Sequence, residues 1–326
     1  CSQFIINGVF LNLDDMIKLT DKNIWSGRLD DEDGELGTRW HQVVEIMNFS
    51  QLKKSQNENI AFLGFCSDEG VKRNKGRVGA KDSPDIIRKA LANLPYTSIE
   101  KFIFDFGNIH LQDGNLEKAR ETQIESVSEL LRNDYFPIVL GGGHETALGD
   151  FLAMDSQFEH IGIVNIDAHF DIRIPVENST SGTPFFEMYH HMAQKGKTFD
   201  YLAIGIQPTG NTAALFKRAE DMGIQTVLAD EVHIDLNYAI RKLEDFIAHH
   251  DAIYLSVDLD VIDAAFAPGV SAPTVNGLTP FQVKSLLQKL IKSNKVKLFD
   301  IVELNANFDQ DNRTAKLAAH LIWEFL

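Results

Sequence analysis

The sequence predicts an α/β fold in which a parallel β-sheet is covered by helices on both faces. Short, continuous apolar runs recur from residue 59 onward, and stretches with helical spacing of apolar residues lie between them. Strands that are apolar throughout are buried on both faces, and helical connections between such strands produce parallel sheets. This alternation allows a closed eight-stranded barrel as well as an open sheet.

The apolar runs and the helical stretches define the predicted elements. Strands are expected at residues 60–65, 102–106, 138–140, 161–166, 202–206, 224–228, 253–257 and 297–302. Helices are expected at residues 84–94, 115–132, 146–154, 212–222, 237–249, 280–292 and 314–326. No internal repeat or linker divides this series. We therefore predict a single domain at residues 59–326, with residues 1–58 forming an N-terminal extension packed on it.

The composition limits the class of protein and its partners. Of the 326 residues 44% are hydrophobic and 24% charged, which is ordinary for a globular protein. A formal net charge of −16 argues against nucleic acid or an anionic membrane as partner. Cys1 and Cys66 cannot form a disulfide framework, and neither a membrane-spanning apolar stretch nor a signal-peptide pattern is present. We expect a cytoplasmic protein that acts on a small molecule, and we also expect a homo-oligomer.

Six potential metal ligands follow three of the predicted strands. Alternate residues of an extended chain point the same way, so the DxHxD spacing after residue 166 and the DxD spacing after residue 257 each present their side chains together. A turn of three glycines delivers one more histidine after residue 140. Since parallel strands end at one edge of the sheet, all six side chains should meet there. They are His144, Asp167, His169, Asp171, Asp258 and Asp260.

The residue types indicate two metal ions. Four carboxylates carry four negative charges, which two divalent cations balance. Carboxylate oxygens combined with imidazole favour Mn²⁺, and Zn²⁺, Co²⁺ or Fe²⁺ could also bind. Two such ions activate water and polarise an electrophile, which points to hydrolysis at carbon or phosphorus. A phosphatase, an amidase and an amidinase all fit this chemistry. The glycine turn could alternatively cradle a phosphate, although it lacks the GxGxxG and GxxxxGK[ST] patterns.

The stretch 67–83 interrupts the regular alternation. It is a glycine-rich segment after the first strand, where α/β folds bind ligands, and it carries Lys72, Arg73, Lys75 and Arg77. We predict a loop that forms a cationic rim. The alternative is a solvated loop with scattered charges.

Three motifs together resemble the ureohydrolase (arginase/agmatinase) family: GGGH at 141–144, DAHFD at 167–171 and SVDLDVIDxxxAPG from residue 256. The resemblance implies an arginase-like, three-layer fold with an open eight-stranded parallel sheet. It also implies the ligand assignment: His144 and Asp171 on one manganese, His169 and Asp260 on the other, and Asp167 and Asp258 as bridges. Glu303 matches the glutamate that contacts the cationic nitrogen of the substrate in this family.

Within that family the sequence most resembles the formimidoylglutamase branch. The similarity lies in residues 25–30, 39–42, 68–80 and 181–185 and in Arg173, where arginase-like sequences have asparagine. Phe185 falls where those sequences have a proton-shuttling histidine. This implies hydrolysis of N-formimidoyl-L-glutamate to L-glutamate and formamide in histidine degradation, with Asp260 passing the proton to the leaving nitrogen.

A substrate with two carboxylates needs cations in its cleft. We expect Arg173 to bind one carboxylate, Arg77 or Arg73 to bind the other, and Ser181 and Thr183 to contact the substrate. Arg173 could instead form an ion pair that closes the acidic rim. The alternative functions are a guanidino-acid amidinohydrolase, such as an agmatinase, guanidinobutyrase or arginase-like enzyme, and a metal-binding homologue without catalysis.

Overall fold

The computed structural model describes residues 3–6, 9–96 and 101–326, with side chains described from residue 12 onward. The strands in this part of the chain are β1 (Gln3–Ile6), β2 (Val9–Asn12), β3 (Ile17–Lys18), β4 (Val44–Ile46), β5 (Ile60–Cys66), β6 (Ile103–His110), β7 (Phe136–Leu140), β8 (Ile161–Ile166), β9 (Asp200–Ile206), β10 (Gln225–Leu228), β11 (Ala252–Asp258) and β12 (Val296–Val302). The helices are α1 (Leu13–Met16), α2 (Glu69–Arg73), α3 (Ser83–Ala92), α4 (Leu116–Arg132), α5 (Thr146–Asp155), α6 (Pro184–Gln194), α7 (Ala213–Asp221), α8 (Ala229–Ile234), α9 (Leu236–Ala248), α10 (Pro280–Ser293) and α11 (Arg313–Phe325).

The main sheet is open, which confirms the predicted fold class. Strands β5 to β12 are the eight predicted strands, and they run parallel in the order β10-β9-β8-β11-β12-β7-β5-β6. The strand number is different from the prediction, because β4 pairs parallel and β3 antiparallel with the edge strand β6. Strands of two and three residues are too short to show a periodic pattern. β1 and β2 form a separate antiparallel pair.

Helices cover both faces of the sheet because alternate strand residues point into opposite cores. In β8, Ile161 and Ile163 belong to one apolar cluster, whereas Val164 and Ile166 belong to the other. Helices α3, α9, α10 and α11 contribute to the cluster of Val164, and α4, α5, α6 and α7 contribute to that of Ile163. These two cores fix the sheet between the helical layers.

Four helices were not predicted from the sequence: the four-residue helix α1, and α2, α6 and α8. α2 occupies residues 69–73, so the prediction of a continuous loop at 67–83 was wrong there. α6 begins with a proline at its first turn and buries Phe185, Met188 and Met192. This proline and this helical spacing were available in the sequence. α8 has only six residues, too few to show a period.

Residues of the N-terminal segment are tied to the main sheet. The rings of Trp25 and Trp40 lie 6.1 and 6.0 Å from the ring of Phe62 on β5. Trp25 Nε1 also donates to Asp105 Oδ2 at 2.6 Å, and Asp105 is paired with the buried guanidinium of Arg88 at 2.8 Å. The division of the chain into an extension and one domain stays a prediction.

The topology places the candidate ligands on neighbouring strands. β8, β11, β12 and β7 are adjacent in the sheet, and each is followed by candidate site residues at its carboxyl end. The side chains therefore emerge side by side at one edge, where α/β sheets bind their ligands.

Candidate metal centre and substrate cavity

The backbone bends as it delivers the ligands that follow β8. The strand ends at Ile166, residues 168–169 form a bend, and Asp171 has φ = 47°, in the left-handed region. The prediction of a uniformly extended segment was therefore wrong beyond Asp167. The bend brings Asp171 back towards His144 instead of carrying it away from the strand end.

The first ligand group surrounds the buried imidazole of His144. Its Nδ1 lies 3.2 Å from Asp167 Oδ2, 3.0 Å from Asp171 Oδ2 and 3.2 Å from Asp258 Oδ2. None of these contacts is aligned as a hydrogen bond. One nitrogen and three carboxylate oxygens thus converge on one point, as ligands of a shared cation do.

The second ligand group lies beside the first and shares Asp167 with it. His169 Nδ1 is 3.1 Å from Asp260 Oδ2 and 3.6 Å from Asp167 Oδ1. Asp167 therefore faces one group with each of its oxygens, as a bridging carboxylate does. Asp258 contributes an oxygen to the first group, and its Oδ1 accepts from the backbone N–H of Asp260 at 2.7 Å. The expected role of Asp258 as a second bridge stays a prediction.

A hydrogen-bond chain sets the tautomer of His144. Ser256 donates its hydroxyl proton to Asp300 Oδ1 at 2.6 Å, so the same hydroxyl accepts from His144 Nε2 at 3.0 Å. In neutral His144 the proton is then on Nε2, and the lone pair of Nδ1 faces three carboxylates. This arrangement repels unless a cation lies between the groups, so the residues present fit a metal ion.

Without metal, the burial and the charges of the cluster shift the pKa values of its histidines and carboxyls. Burial lowers the pKa of His144, but three nearby carboxylates outweigh it and raise this pKa well above its usual value. The charge of Asp260 is the largest influence on His169 and raises its pKa well above the usual value too. Burial is the main cause of the raised pKa of Asp258, and nearby carboxylates raise it further. Burial is also the main cause for Asp260, whose pKa rises to about 6. Without metal, protons supply the positive charge that the cluster needs.

Glu303 lies next to the ligand groups in a strained conformation. It has φ = 68°, its N–H donates to the Gly142 carbonyl at 2.8 Å, and its Oε1 accepts from the His144 N–H at 2.9 Å. The other carboxylate oxygen, Oε2, is buried without a hydrogen-bond partner among the described residues. Burial, followed by the charge of Asp258, raises the pKa of Glu303 well above its usual value. A buried acceptor held this way is suited to a cationic donor.

One cavity of about 350 Å³ joins these groups to the predicted substrate contacts. Its lining includes His169, Asp171, Arg77, Arg173, Ser181, Asp258, Asp260 and Glu303. It continues into an outer cavity of about 890 Å³, which shares Asn74, Lys75, Arg173 and Leu215 with it. A carboxylate that can bind a cationic nitrogen and arginines that can bind carboxylates therefore line the same cavity.

The predicted substrate contacts differ in how their polar atoms are used. Within the described ranges the guanidinium of Arg173 has no hydrogen bond or ion pair. The alternative prediction, an ion pair of Arg173 that closes the acidic rim, is therefore not seen among these residues. Arg77 donates to the carbonyls of residues 270 and 271 at 2.6 and 2.8 Å, and its guanidinium carbon lies 3.8 Å from the ring centre of Phe308. Thr183 donates to Glu187 at 2.5 Å and lines only the outer cavity, whereas Ser181 lines the inner one.

The glycine turn is filled by protein. The N–H groups of Gly141, Gly142 and Gly143 donate to backbone carbonyls, and a Cβ at Gly142 would lie 1.8 Å from the Ser67 carbonyl oxygen. No donor and no space is left there for a phosphate. Phe185 is buried against Tyr201 at 4.6 Å, edge-on to His144 at 5.3 Å, so it faces the core.

Sequence reasoning missed the residues that support His144. Ser256 and Asp300 connect it to Tyr254 and Asp150 in a buried network. The signal for Ser256 was present, because it precedes Asp258 by two positions on the same strand and therefore points to the same face. Asp300 gave no signal, since only the pairing of β11 with β12 places it beside Ser256.

Comparisons with known proteins agree with this geometry. The Arginase family model matches residues 58–326. Formimidoylglutamase from Aeromonas hydrophila is 40% identical over 316 residues, covering 96% of this chain and 99% of that protein. The same-named protein from Staphylococcus carnosus is 37% identical, covering 95% and 100%.

Solved structures of other proteins share the fold of this chain over most of its length. Trypanosoma cruzi formiminoglutamase with Mn²⁺₂ superimposes with a TM-score of 0.76 at 27% identity, over 85% of this chain and 96% of that one. Formimidoylglutamase from Bacillus subtilis shares the fold with a TM-score of 0.80 at 21% identity, over 92% of both chains. In the described part of this chain, no helix is long and apolar enough to cross a bilayer. The fold, the His/Asp cluster and the full-length relatives confirm the resemblance inferred from the motifs: the chain is a hydrolase of the arginase family.

Proposed function

We propose that this protein is a formimidoylglutamase that hydrolyses N-formimidoyl-L-glutamate to L-glutamate and formamide with two Mn²⁺ ions, as a step of histidine degradation. The named relatives at about 40% identity over nearly the whole chain support the substrate, and the T. cruzi relative solved with manganese supports the metal. The cytoplasm and a homo-oligomer, expected from the sequence, stay predictions.

The observation that carries the proposal is the composition of the inner cavity. Next to the ligand groups it presents Glu303 and Arg173. Among the described residues, neither Glu303 Oε2 nor the guanidinium of Arg173 has a hydrogen-bond or ion-pair partner. The first suits a cationic formimino nitrogen, and the second suits a carboxylate. Formiminoglutamate has both groups, whereas agmatine has no carboxylate for Arg173 to bind.

The roles of the chain's own residues follow from these positions. Bound by the two ligand groups, metal ions would lower the pKa of water and polarise the amidine. Glu303 Oε2 holds the formimino nitrogen and fixes the carbon near the ligands. A water oxygen bonds to that carbon, and the bond from the carbon to the glutamate nitrogen breaks. Asp260, whose Oδ1 has no hydrogen-bond partner in the described part of the chain, takes a proton from the water and delivers it to the leaving nitrogen, so that formamide and glutamate leave.

Product analysis tests the proposal. Manganese-loaded protein incubated with formiminoglutamate should yield equal amounts of glutamate and formamide, measured by ¹H NMR, and the chelated protein should yield neither. Formation of ammonia and N-formylglutamate would show that the bond from the carbon to the terminal nitrogen breaks instead of the bond to the glutamate nitrogen. That result would contradict the assigned roles. Absence of any turnover with manganese present would support a non-catalytic homologue.

A further inference from the structure

The cavity has to bind two carboxylates if the substrate is the one proposed above, and the inference here rests on that function. Arg173 can bind one of them. Among the described residues, four other lysine and arginine side chains line the inner or outer cavity, and the contacts of each decide whether it can bind the second carboxylate. They are Arg73, Lys75, Arg77 and Arg218.

Three of these four cations are already held by protein groups. Arg73 pairs with Glu117 at 2.7 Å and with Glu69 at 3.2 Å. Arg77 is fixed by two backbone carbonyls and by the ring of Phe308, as described above. Arg218 donates to the carbonyl of residue 172 at 3.0 Å. Binding a substrate carboxylate through any of them would first require these contacts to change.

Lys75 is different, because its ammonium group has no hydrogen bond or ion pair within the described ranges. The side chain is exposed and lines both the inner and the outer cavity, as Arg173 does. A free ammonium at the junction of the two cavities is placed to meet an anion entering the inner one.

The backbone holds Lys75 in a conformation that disfavours it. Lys75 follows the end of α2 with φ = 63°; its N–H donates to the Lys72 carbonyl and that of Gly76 to the Val71 carbonyl. These two bonds form a Schellman motif with Lys75 at the position where glycine is preferred. A side chain with a Cβ costs roughly 1–2 kcal/mol in this region relative to glycine. Such strain beside a ligand cavity indicates that the side chain serves binding.

The segment that carries Lys75 is anchored on both sides. The N–H of Arg77 donates to Ser271 Oγ at 2.9 Å, and its carbonyl accepts from Asn305 Nδ2 at 2.7 Å. Asn305 lies two residues after Glu303 at the end of β12. The position of Lys75 is therefore fixed relative to the residue assigned to the formimino nitrogen, so that one rigid substrate can contact both.

We propose that Lys75 binds the γ-carboxylate of the substrate while Arg173 binds the α-carboxylate. Arg173 is only two residues from the ligand Asp171, and the α-carboxylate is the one closer to the reacting carbon. Lys75 lies at the boundary of the inner cavity, and its four-carbon stem reaches the more distant carboxylate. Since this contact is equal in substrate and transition state, it lowers KM and leaves kcat nearly unchanged.

The test compares Lys75→Gly with a matched control. Lys75→Gly removes the ammonium group and the backbone strain together, so we expect an unchanged or higher Tm and a KM for formiminoglutamate raised by about tenfold or more. Lys75→Arg should restore most of the affinity. Lys72→Met removes a neighbouring lysine that pairs with Glu69 on the surface, and KM should stay as in the wild type.

An analogue identifies the carboxylate. N-formimidoyl-L-glutamine lacks only the γ-carboxylate charge, so the wild type should favour the glutamate compound, and Lys75→Gly should remove that preference. An unchanged KM or an unchanged preference in Lys75→Gly, in an enzyme whose wild type hydrolyses formiminoglutamate, overturns the role of Lys75 alone. A wild type that does not hydrolyse formiminoglutamate overturns the proposed function and this inference together.

Discussion

Removal of the metal should destabilise the protein more strongly as the pH rises. In the metal-free protein the pKa values of His144 and His169 are raised, so their protonated forms stabilise the fold. This contribution is complete below the unfolded pKa of about 6.5 and is lost as the pH rises through the raised values. The buried carboxyl of Asp258, whose pKa is raised well above its usual value, acts in the same direction, because it stays protonated in the folded protein at pH values where the unfolded chain has ionised it. The corresponding loss for Asp260, whose pKa is about 6, occurs mainly below pH 6.5.

In the metal-loaded protein this loss of stability at higher pH does not occur. Its histidines are neutral, and its carboxylates are balanced by the bound cations. The difference in the free energy of unfolding between the metal-loaded and the metal-free protein therefore widens as the pH rises. Each displaced proton is worth about 1.4 kcal/mol per pH unit, and two imidazolium protons give about 2.7 kcal/mol per pH unit. For a chain of this length that corresponds to a Tm difference growing by about 4 °C per pH unit at constant excess of metal.

Differential scanning calorimetry between pH 6.5 and 8 measures this gap, with protein in excess Mn²⁺ and protein treated with a chelator. His144→Asn should reduce the pH slope by about half, since one proton is no longer displaced. His233→Asn is the matched control, because His233 contacts the carbonyl of residue 276 away from the cluster. A gap that stays constant or narrows as the pH rises would refute the view that protons substitute for metal at this site.

Three further predictions concern single side chains. Ser256→Ala removes the acceptor for His144 Nε2 and should weaken Mn²⁺ binding by about 10- to 100-fold in a chelator competition, with little effect if the hydroxyl does not orient the ligand. Gly210→Ala places a Cβ 3.1 Å from His169 Nε2, and we expect weaker Mn²⁺ binding at an unchanged Tm of the metal-free protein; equal binding would show that the imidazole shifts freely. Glu303→Gln keeps its hydrogen bond from the backbone but loses the charge, so kcat/KM should fall by roughly 10- to 100-fold, and an unchanged value would remove Glu303 from substrate binding.

The sequence was sufficient for the part of the fold that depends on burial. Strands β5 to β12 are recognisable because they are apolar on both faces, and the helices between them have apolar residues at helical spacing. β3 and β4 are set by pairing with β6, a contact between segments far apart in the chain, and they have no local pattern. α6 was overlooked, although its initial proline and buried positions were visible.

For the site, the residue types predicted which side chains meet but not how. The six ligand candidates were chosen because they follow strand ends, and the strand order brings them together. The left-handed conformation of Asp171 depends on tertiary contacts and could not be derived from an alternating pattern. Likewise, the sequence does not distinguish a free cation from one held by carbonyls. Arg77 was therefore expected to bind a carboxylate, and Lys75 was expected only as part of the cationic rim, before their contacts were known.

A competition between substrates tests the central claim most directly. Manganese-loaded protein is given formiminoglutamate and 4-guanidinobutyrate at equal concentrations, and formamide and urea are quantified in the same reaction at low conversion. The ratio of the two products equals the ratio of the two kcat/KM values. We predict that formamide is formed in large excess, because Arg173 and Lys75 supply cations for two carboxylates, whereas 4-guanidinobutyrate has only one. Urea in excess over formamide would contradict the proposed function and identify a guanidino-acid amidinohydrolase.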